Sequence, residues 1–211
     1  MGIGARRHWE AVALWVGIPA SLLALVAYAF TATEWGRDLL ANDKVVAEPL
    51  KKGEGCGKTT LDNPGKDLAV RLDAQRPGAH CEWADEVSPV GSRKKIELLI
   101  TYKNTSAKTQ RDVIATLDLP WQLGLVPEST VIANGSNPDG LQLDHDAIAN
   151  TGIPIGGYRP GSVAYVKVTV VAAGFQSLEC GWSDVHPRVY VAPKGLDPWY
   201  AEATIRMFKD C

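Results

Sequence analysis

The sequence predicts an antiparallel β-sandwich that follows a single N-terminal transmembrane helix. Residues 11–30 form an uncharged apolar run, whereas from Leu68 onward apolar residues recur at every second position. The first pattern has the length of a membrane-spanning helix, and the second has the period of a strand that buries one face. Clusters of Asn, Asp, Gly and Pro separate the alternating runs, as turns separate the short strands of a sandwich.

The apolar run, AVALWVGIPASLLALVAYAF, would span about 30 Å as a helix. Two interpretations remain open. The run is either a signal peptide, cleaved at the A-x-A-like Ala27-Tyr28-Ala29, or a signal anchor that stays in the membrane. We favour an anchor over residues 11–32, because the run is long for a signal peptide and aromatic residues flank both of its ends.

Charge and cysteine positions predict the topology. Arg6 and Arg7 precede the run and favour a cytoplasmic N-terminus. All four cysteines follow the run, and an even number in an exported region indicates two disulfides. We therefore expect a cytoplasmic tail (1–10), a single-pass anchor in membrane lipid (11–32), a stalk (33–66) and an extracytoplasmic sandwich (67–211). Secretion after cleavage near Ala29 is the alternative.

The strands of the sandwich can be placed in order along the chain. Apolar and polar residues alternate over five runs, at residues 68–73, 96–103, 112–119, 164–170 and 201–208, with shorter candidates at 130–133 and 188–191. Turn-forming residues lie between them, at 104–106, 134–140, 156–157 and 159–161. About seven short strands without a long helical pattern are typical of a sandwich.

Several of these runs and turns carry a recognisable set of motifs. The stretches IELLITYKNTSAKTQRDVIATLDLPWQLGLVPEST, SNPDG and GIPIGGYRPGSVAYVKVTV resemble the conserved repeat domain of bacterial, notably actinobacterial, surface proteins. That family is immunoglobulin-like and of unknown function, so the resemblance implies an immunoglobulin-like antiparallel β-sandwich and brings no catalytic residues. The motif positions are held here by Tyr102, Asn104, Thr105, Asp118, Leu119, Pro120, Ser129, Thr130, Ile155, Gly156, Tyr158, Pro160 and Gly161.

The sequence departs from the family pattern in two turns. Glu128 stands where a turn glycine is common, and Trp121-Gln122-Leu123 replaces a short Pro-x-Gly. The ending, from Cys180-Gly181 to Cys211, also resembles actinobacterial members.

The stretch KKGEGCGKTT, residues 51–60, ends like a phosphate-binding P-loop but does not fit one. The P-loop spacing would require a glycine at position 52, which is Lys52, and neither a buried strand before it nor a helix after it is predicted. We therefore expect no nucleotide. A flexible loop that holds Cys56 for a disulfide explains the glycines better.

Four cysteines allow three connectivities, of which we favour Cys56–Cys81 and Cys180–Cys211. The first would tie the stalk to the sandwich, and the second would fasten the last strand near its end. Each closes a loop of about 25 to 30 residues, which is worth about 3 kcal/mol in the chain-entropy model.

Candidate binding residues are few. We expect one or two of the four sandwich tryptophans to fill the core. Trp121 and Trp199, beside prolines, are the candidates for an exposed surface that binds sugar or a partner protein, but core packing is the favoured use of such residues. The predicted loop at residues 137–146 is rich in side-chain oxygens. It offers a weak calcium-site candidate formed by Asn137, Asp139, Asp144 and Asp146. Those residues, and the N-x-S/T triplets at Asn104 and Asn134, are also ordinary turn formers. The scattered histidines predict no zinc site.

These patterns together predict a non-catalytic structural or adhesion module that binds a protein or cell-wall partner, without cofactor, nucleotide or nucleic acid. An accessory subunit of a larger membrane complex is the alternative. A secreted carbohydrate-binding or hydrolytic domain is a distant third, since the sequence has no G-x-S-x-G motif and no distinctive pair of carboxylates.

Overall fold

The computed structural model describes residues 67–79, 82–144 and 146–211. The predicted anchor and stalk, the stretch at residues 51–60 and the expected Cys56–Cys81 disulfide lie outside the described residues. The described part of the chain contains no apolar helix of membrane-spanning length.

The described residues form an all-β structure. In chain order, its strands and short 3-10 helices are β1 (Leu68–Gln75), β2 (Glu86–Val90), β3 (Lys95–Asn104), β4 (Gln110–Asp118), β5 (Leu123–Leu125), β6 (Val131–Ala133), β7 (Leu141–Gln142), a 3-10 turn (Ala147–Ala149), β8 (Ile153–Tyr158), β9 (Val163–Ala172), a 3-10 turn (Phe175–Ser177), β10 (Gly181–Val185), β11 (Arg188–Ala192), β12 (Trp199–Glu202) and β13 (Thr204–Lys209).

These strands form three sheets. The largest has the order β1-β3-β9-β6-β7, with β5 also paired to β9; the second has the order β12-β11-β4-β8, and the third the order β10-β13-β2. Neighbouring strands are antiparallel except for the β2–β13 pair, which is parallel.

The run predicted as one strand over residues 201–208 is two strands in two sheets, so that prediction is wrong in this detail. The break falls at Ala203, whose N–H donates to the Pro187 carbonyl at 3.2 Å. The next N–H, of Thr204, donates to the Asp85 carbonyl at 2.7 Å. At this point the backbone stops pairing with β11 and starts pairing with β2. Strand β12 therefore pairs with β11, whereas β13 pairs with β10 and β2.

One hydrophobic core unites residues of all three sheets. Strand β9 shows why: its even-numbered residues from Ala164 to Ala172 are buried, and the odd-numbered ones between them are half-buried. Strand β4 alternates in the same way from Asp112 to Asp118, as the sequence predicted, whereas in β3 every residue from Leu98 to Tyr102 is buried. Burying one apolar face of each sheet is what holds such a fold together.

The aromatic residues of the core are tyrosines rather than tryptophans. Tyr102 of β3 and Tyr158 of β8 are fully buried, and their ring centroids lie 4.9 Å apart across two sheets. The expectation that one or two tryptophans fill the core is wrong for the described residues, where none belongs to it. A buried tyrosine needs a partner for its hydroxyl group, and this core supplies one for each tyrosine.

Candidate functional site

The motif residues Tyr102, Asn104 and Tyr158 meet in a buried hydrogen-bond network at the end of the sandwich where β1 begins. The Tyr102 hydroxyl donates to Gln110 Oε1. Gln110 Nε2 in turn donates to the Asp67 carbonyl at 2.7 Å. Asn104 Nδ2 donates to the carbonyls of Tyr158 and Lys108, both at 2.8 Å. These contacts fix the loop between β3 and β4 against the end of β8.

Asn134 continues the network on the other side of Tyr158. Its Nδ2 donates to the Ile155 carbonyl at 3.3 Å, and its Oδ1 accepts from the N–H groups of Ser136 and Asn137, both at 3.0 Å. Asn104 and Asn134 are both buried, so the two N-x-S/T triplets use their asparagines to build turns.

Burial raises the pKa of both core tyrosines above the ordinary value. Desolvation is the main cause in each case; the neighbouring Tyr158 hydroxyl adds to it for Tyr102, and the hydrogen bond with Asn134 opposes it for Tyr158. Both hydroxyl groups therefore stay protonated at neutral pH. They act as structural hydrogen-bond donors.

The candidate calcium ligands are not gathered into a site. Within the described residues, no three His, Cys, Asp or Glu side chains lie together as metal ligands would. Asp146 Oδ1 instead accepts the N–H of Glu128 at 3.0 Å. Asn137 belongs to the turn that Asn134 organises, where its carbonyl accepts from Gly140 at 3.1 Å. The structure therefore shows Asn137 in a turn and Asp146 in a contact between two loops.

Trp121 and Trp199 are both exposed, by 61% and 44%, but the structure does not bring them together. Trp199 begins β12, opposite Val191, whereas Trp121 lies beyond the other end of the β4–β11 pair. The Trp121 ring also packs over Gly174, where an added Cβ would approach it to 2.6 Å.

A different aromatic surface is present on the small β10-β13-β2 sheet. We call it the Trp182 face; it consists of Trp182, Asp184, Arg206, Phe208, Glu86 and Ser88. Trp182 and Phe208 are cross-strand partners with ring centroids 5.0 Å apart, and they are 59% and 43% exposed. The alternate residues of the same strands, such as Val185 and Ile205, belong to the core. The strand period therefore forces both aromatic rings outward.

An arginine is held rigidly beside these rings. Arg206 Nε and Nη2 donate to the two carboxylate oxygens of Asp184 at 2.8 and 3.1 Å, and its Nη1 lies 3.2 Å from Glu86 Oε1. The hydrogen bond from Arg206 is the main reason that the pKa of the Asp184 carboxyl lies below its ordinary value. A hollow of about 430 Å³ opens between Arg206, Asp184, Trp182 and Ser88. The face thus combines exposed aromatic area with a preorganised ion pair.

Sequence reasoning missed this face, although one signal was available. In the alternating run at residues 201–208, Phe208 falls on the polar side with Glu202, Thr204 and Arg206. One exposed aromatic residue is common, so this signal gains meaning only when a second exposed aromatic residue lies beside it. Its partner Trp182 lies in β10, a five-residue strand that no alternation revealed.

The Cys180–Cys211 disulfide, one of the two pairings expected from the sequence, lies at the end of this sheet. It joins the residue before β10 to a residue just beyond β13. The bond therefore fastens together the two strands that carry Trp182 and Phe208.

Comparisons with known proteins find only distant structural likenesses. No protein-family model and no curated protein matches the chain. BcpA, the major pilin subunit of Bacillus cereus, is similar at 9% identity and a TM-score of 0.44, over 66% of this chain and 41% of that one. The GAE domain of yeast GGA1 is similar at 13% sequence identity and a TM-score of 0.35, over 68% of this chain and 94% of that one. A collagen-binding domain from a Staphylococcus aureus adhesin is similar at 9% sequence identity and a TM-score of 0.34, over 55% of this chain and 88% of that one.

Proposed function

We propose that the chain is a non-catalytic interaction module, anchored in a membrane by residues 11–32, which presents its sandwich to a protein partner outside the membrane. The observation that carries the proposal is the Trp182 face, where two exposed aromatic rings lie next to an arginine that is paired with two carboxylates. Tryptophan and arginine are enriched among the residues that dominate protein–protein binding energy.

The rigidity of the face supports a binding role. The Arg206 guanidinium is already oriented by Asp184 and Glu86, so docking would immobilise little additional side-chain freedom. The Cys180–Cys211 bond limits the separation of β10 and β13. Charges of both signs around an apolar centre also favour a protein surface that is itself mixed, because matched charges select the partner and its orientation.

The disulfide also supports the location. Disulfides persist in oxidising compartments and are rare where the cytosolic thiol pool keeps cysteines reduced. A Cys180–Cys211 bond is therefore consistent with a sandwich on the outer side of the membrane, as the arginines before the apolar run favour.

The proposal is tested on the full chain, extracted from its own membrane in mild detergent. Native mass spectrometry then measures the mass of the chain and of any complex that it forms. We expect a complex of fixed stoichiometry with the wild type and its loss in Trp182→Ala/Phe208→Ala. The matched control is Tyr190→Ala/Tyr200→Ala, which removes the other cross-strand aromatic pair, with centroids 6.0 Å apart, from the β11–β12 surface. That control should leave the complex intact.

Both double variants are first checked for an unchanged melting temperature. Loss of the complex in both variants, or in neither, contradicts a partner at the Trp182 face. A chain mass that lacks residues 1–29 contradicts the anchor. A complex with several membrane subunits would make the chain an accessory subunit that docks through this same face.

A further inference from the structure

Strand β10 is an edge strand, because within the part of the chain that the structure describes it pairs with β13 alone. Its five residues include no proline, and its register with β13 has no bulge. Edge strands are usually blunted by such features, since their unpaired backbone groups attract another strand. In β8, an edge strand of the second sheet, Pro154 and an irregular pairing with β4 have this effect. The edge of β10 is open by comparison.

The pairing of β13 shows which backbone groups of β10 are already bonded. The Thr204 N–H donates to the Asp85 carbonyl at 2.7 Å, so this residue of β13 directs its backbone groups toward β2. Successive residues of a strand direct these groups to opposite sides, and Met207 therefore directs its own toward β10. Its cross-strand partner in β10 is Ser183. The N–H and C=O groups of Ser183 are thus used in the bonds between β10 and β13.

The neighbours of Ser183 in β10, Trp182 and Asp184, consequently direct their N–H and C=O groups to the open edge. No described residue forms a hydrogen bond with these backbone groups. The side chains of the same two residues are exposed on the Trp182 face. Backbone donors and acceptors at the spacing of a strand are matched by an extended chain, which carries the same groups at the same spacing.

The Trp182 face adds side-chain preferences to this edge. It carries two carboxylates, Asp184 and Glu86, against the single guanidinium of Arg206, which leaves an excess of one negative charge. A strand paired with β10 places every second side chain on this face. An apolar side chain is favoured next to the exposed Trp182 ring, and a basic one next to Asp184, because both combinations stabilise cross-strand pairs.

We propose that β10 binds an extended segment of the protein partner, which joins the β10-β13-β2 sheet as a fourth strand. The segment places one apolar and one basic residue on the side of the Trp182 face. This inference rests on the function proposed above, because it specifies what binds at that face. Main-chain hydrogen bonds supply affinity in such a pairing, and alternate side chains supply specificity. The Cys180–Cys211 bond keeps β10 on β13, so the edge is formed before the partner binds.

Hydrogen exchange tests the backbone bonds. The wild-type complex, extracted from its membrane in mild detergent, is compared with the full chain purified without its partner, and exchange is read at single residues by mass spectrometry. We expect the amides of Trp182 and Asp184 to exchange about tenfold or more slowly in the complex than in the chain alone. The Ser183 amide is the internal control, because its bond to β13 should protect it equally in both samples.

A proline substitution tests the same edge by affinity. Asp184→Pro removes an outward N–H, and Asp184→Ala is its matched control, because it removes the same carboxylate and keeps the N–H. Both variants should melt at similar temperatures, since an edge strand tolerates proline where the N–H faces away from its neighbour. Dilution of the complex should show that Asp184→Pro binds the partner about tenfold more weakly than Asp184→Ala. Ser183→Pro removes a bond to β13 instead and should lower the melting temperature.

The outcomes separate this inference from the proposed function. Suppose that Trp182→Ala/Phe208→Ala abolishes the complex, but the two outward amides exchange equally fast with and without the partner. The face then binds a partner without strand addition, and this inference alone is overturned. Melting of Asp184→Pro at a temperature as low as that of Ser183→Pro also overturns it, because the wrong residues would then face the edge. A complex of copies of this chain alone overturns a partner protein's segment as the occupant. The absence of any complex overturns both proposals.

Discussion

The chain enters and leaves the sandwich at two places that are held in different ways. Where β1 begins, the Asp67 carbonyl accepts from Gln110 Nε2 and from two backbone N–H groups of the loop between β3 and β4. We call this the hydrogen-bonded end. Beyond β13, Cys211 is joined covalently to Cys180, at what we call the disulfide-bonded end. The first attachment depends on burial and the second on the redox state, so different perturbations should release them.

The largest effect is expected from Asn104→Ala at the hydrogen-bonded end. The change removes the donor to the Tyr158 and Lys108 carbonyls and the acceptor for the N–H of Ser106, and it leaves buried polar groups without partners. We expect a loss of about 3–4 kcal/mol in the free energy of unfolding, measured by denaturant titration.

Asn150→Ala is the control for this substitution, because Asn150 is exposed and its side chain is described only in a 3.5 Å contact with the Asp146 carbonyl. It should change stability by less than about 0.5 kcal/mol. Similar losses in the two variants would show that the network is not what holds this end.

The next largest effect is expected from Cys180→Ser/Cys211→Ser at the disulfide-bonded end. The bond closes a loop across a sequence separation of 31, which is worth about 3.7 kcal/mol in the chain-entropy model. Because the unfolded chain retains some structure, we expect its removal to cost about 3 kcal/mol. Reduction of the wild type should lower the melting temperature.

The two ends should also behave independently. When Asn104→Ala is combined with the cysteine substitutions, the two losses in the free energy of unfolding should add to within about 0.5 kcal/mol. A large departure from additivity would mean that one end supports the other.

Alkaline pH should act on the hydrogen-bonded end. Burial raises the pKa of Tyr102 and Tyr158 above the ordinary 10.0, so their contribution to stability is complete below pH 10.0 and is lost as the pH rises toward the folded values. In that interval each tyrosine should lower the free energy of unfolding by about 1.4 kcal/mol per pH unit. Denaturant titrations at several pH values, with tyrosinate absorbance, check this.

Tyr102→Phe is the control for the pH dependence, because it leaves a single buried titrating group of this pair. Its slope of stability against pH should be about half that of the wild type. An unchanged slope would assign the alkaline loss to other groups. The disulfide variant should keep the wild-type slope of stability against pH, because the titrating tyrosines lie at the hydrogen-bonded end.

The difference between the ends also shows which features a sequence can predict. The alternation of β4 and β9 and the Cys180–Cys211 pair could be predicted, because a strand period and a cysteine count are local signals. The partnership of Tyr102 with Tyr158 joins residues more than fifty positions apart, and the family resemblance supplied those residues without their roles. The Trp182 face depends on β10, which is too short to show a period.

The strands that sequence reasoning missed have physical reasons for being hidden. In β8, Ile153–Tyr158, a proline and two glycines interrupt the apolar pattern, and these residues are acceptable there because β8 is an edge strand. The tryptophan expectation failed for a related reason. For Trp182 the strand register decides which way the side chain points, and it points outward.

The smallest predicted effect, and the one of opposite sign, concerns Glu128, which occupies the turn position where the family pattern favours glycine. Its φ of 55° lies in the left-handed region, which a residue with a Cβ adopts at a cost of about 1–2 kcal/mol. The turn uses only its backbone, since its N–H donates to Asp146 and its carbonyl accepts from Gln142. Glu128→Gly should therefore stabilise the fold by about 0.5–1 kcal/mol, after the greater chain entropy of glycine is counted. Glu128→Ala removes the same charge but keeps the Cβ, so a gain as large as that of glycine would attribute the effect to charge and not to the backbone.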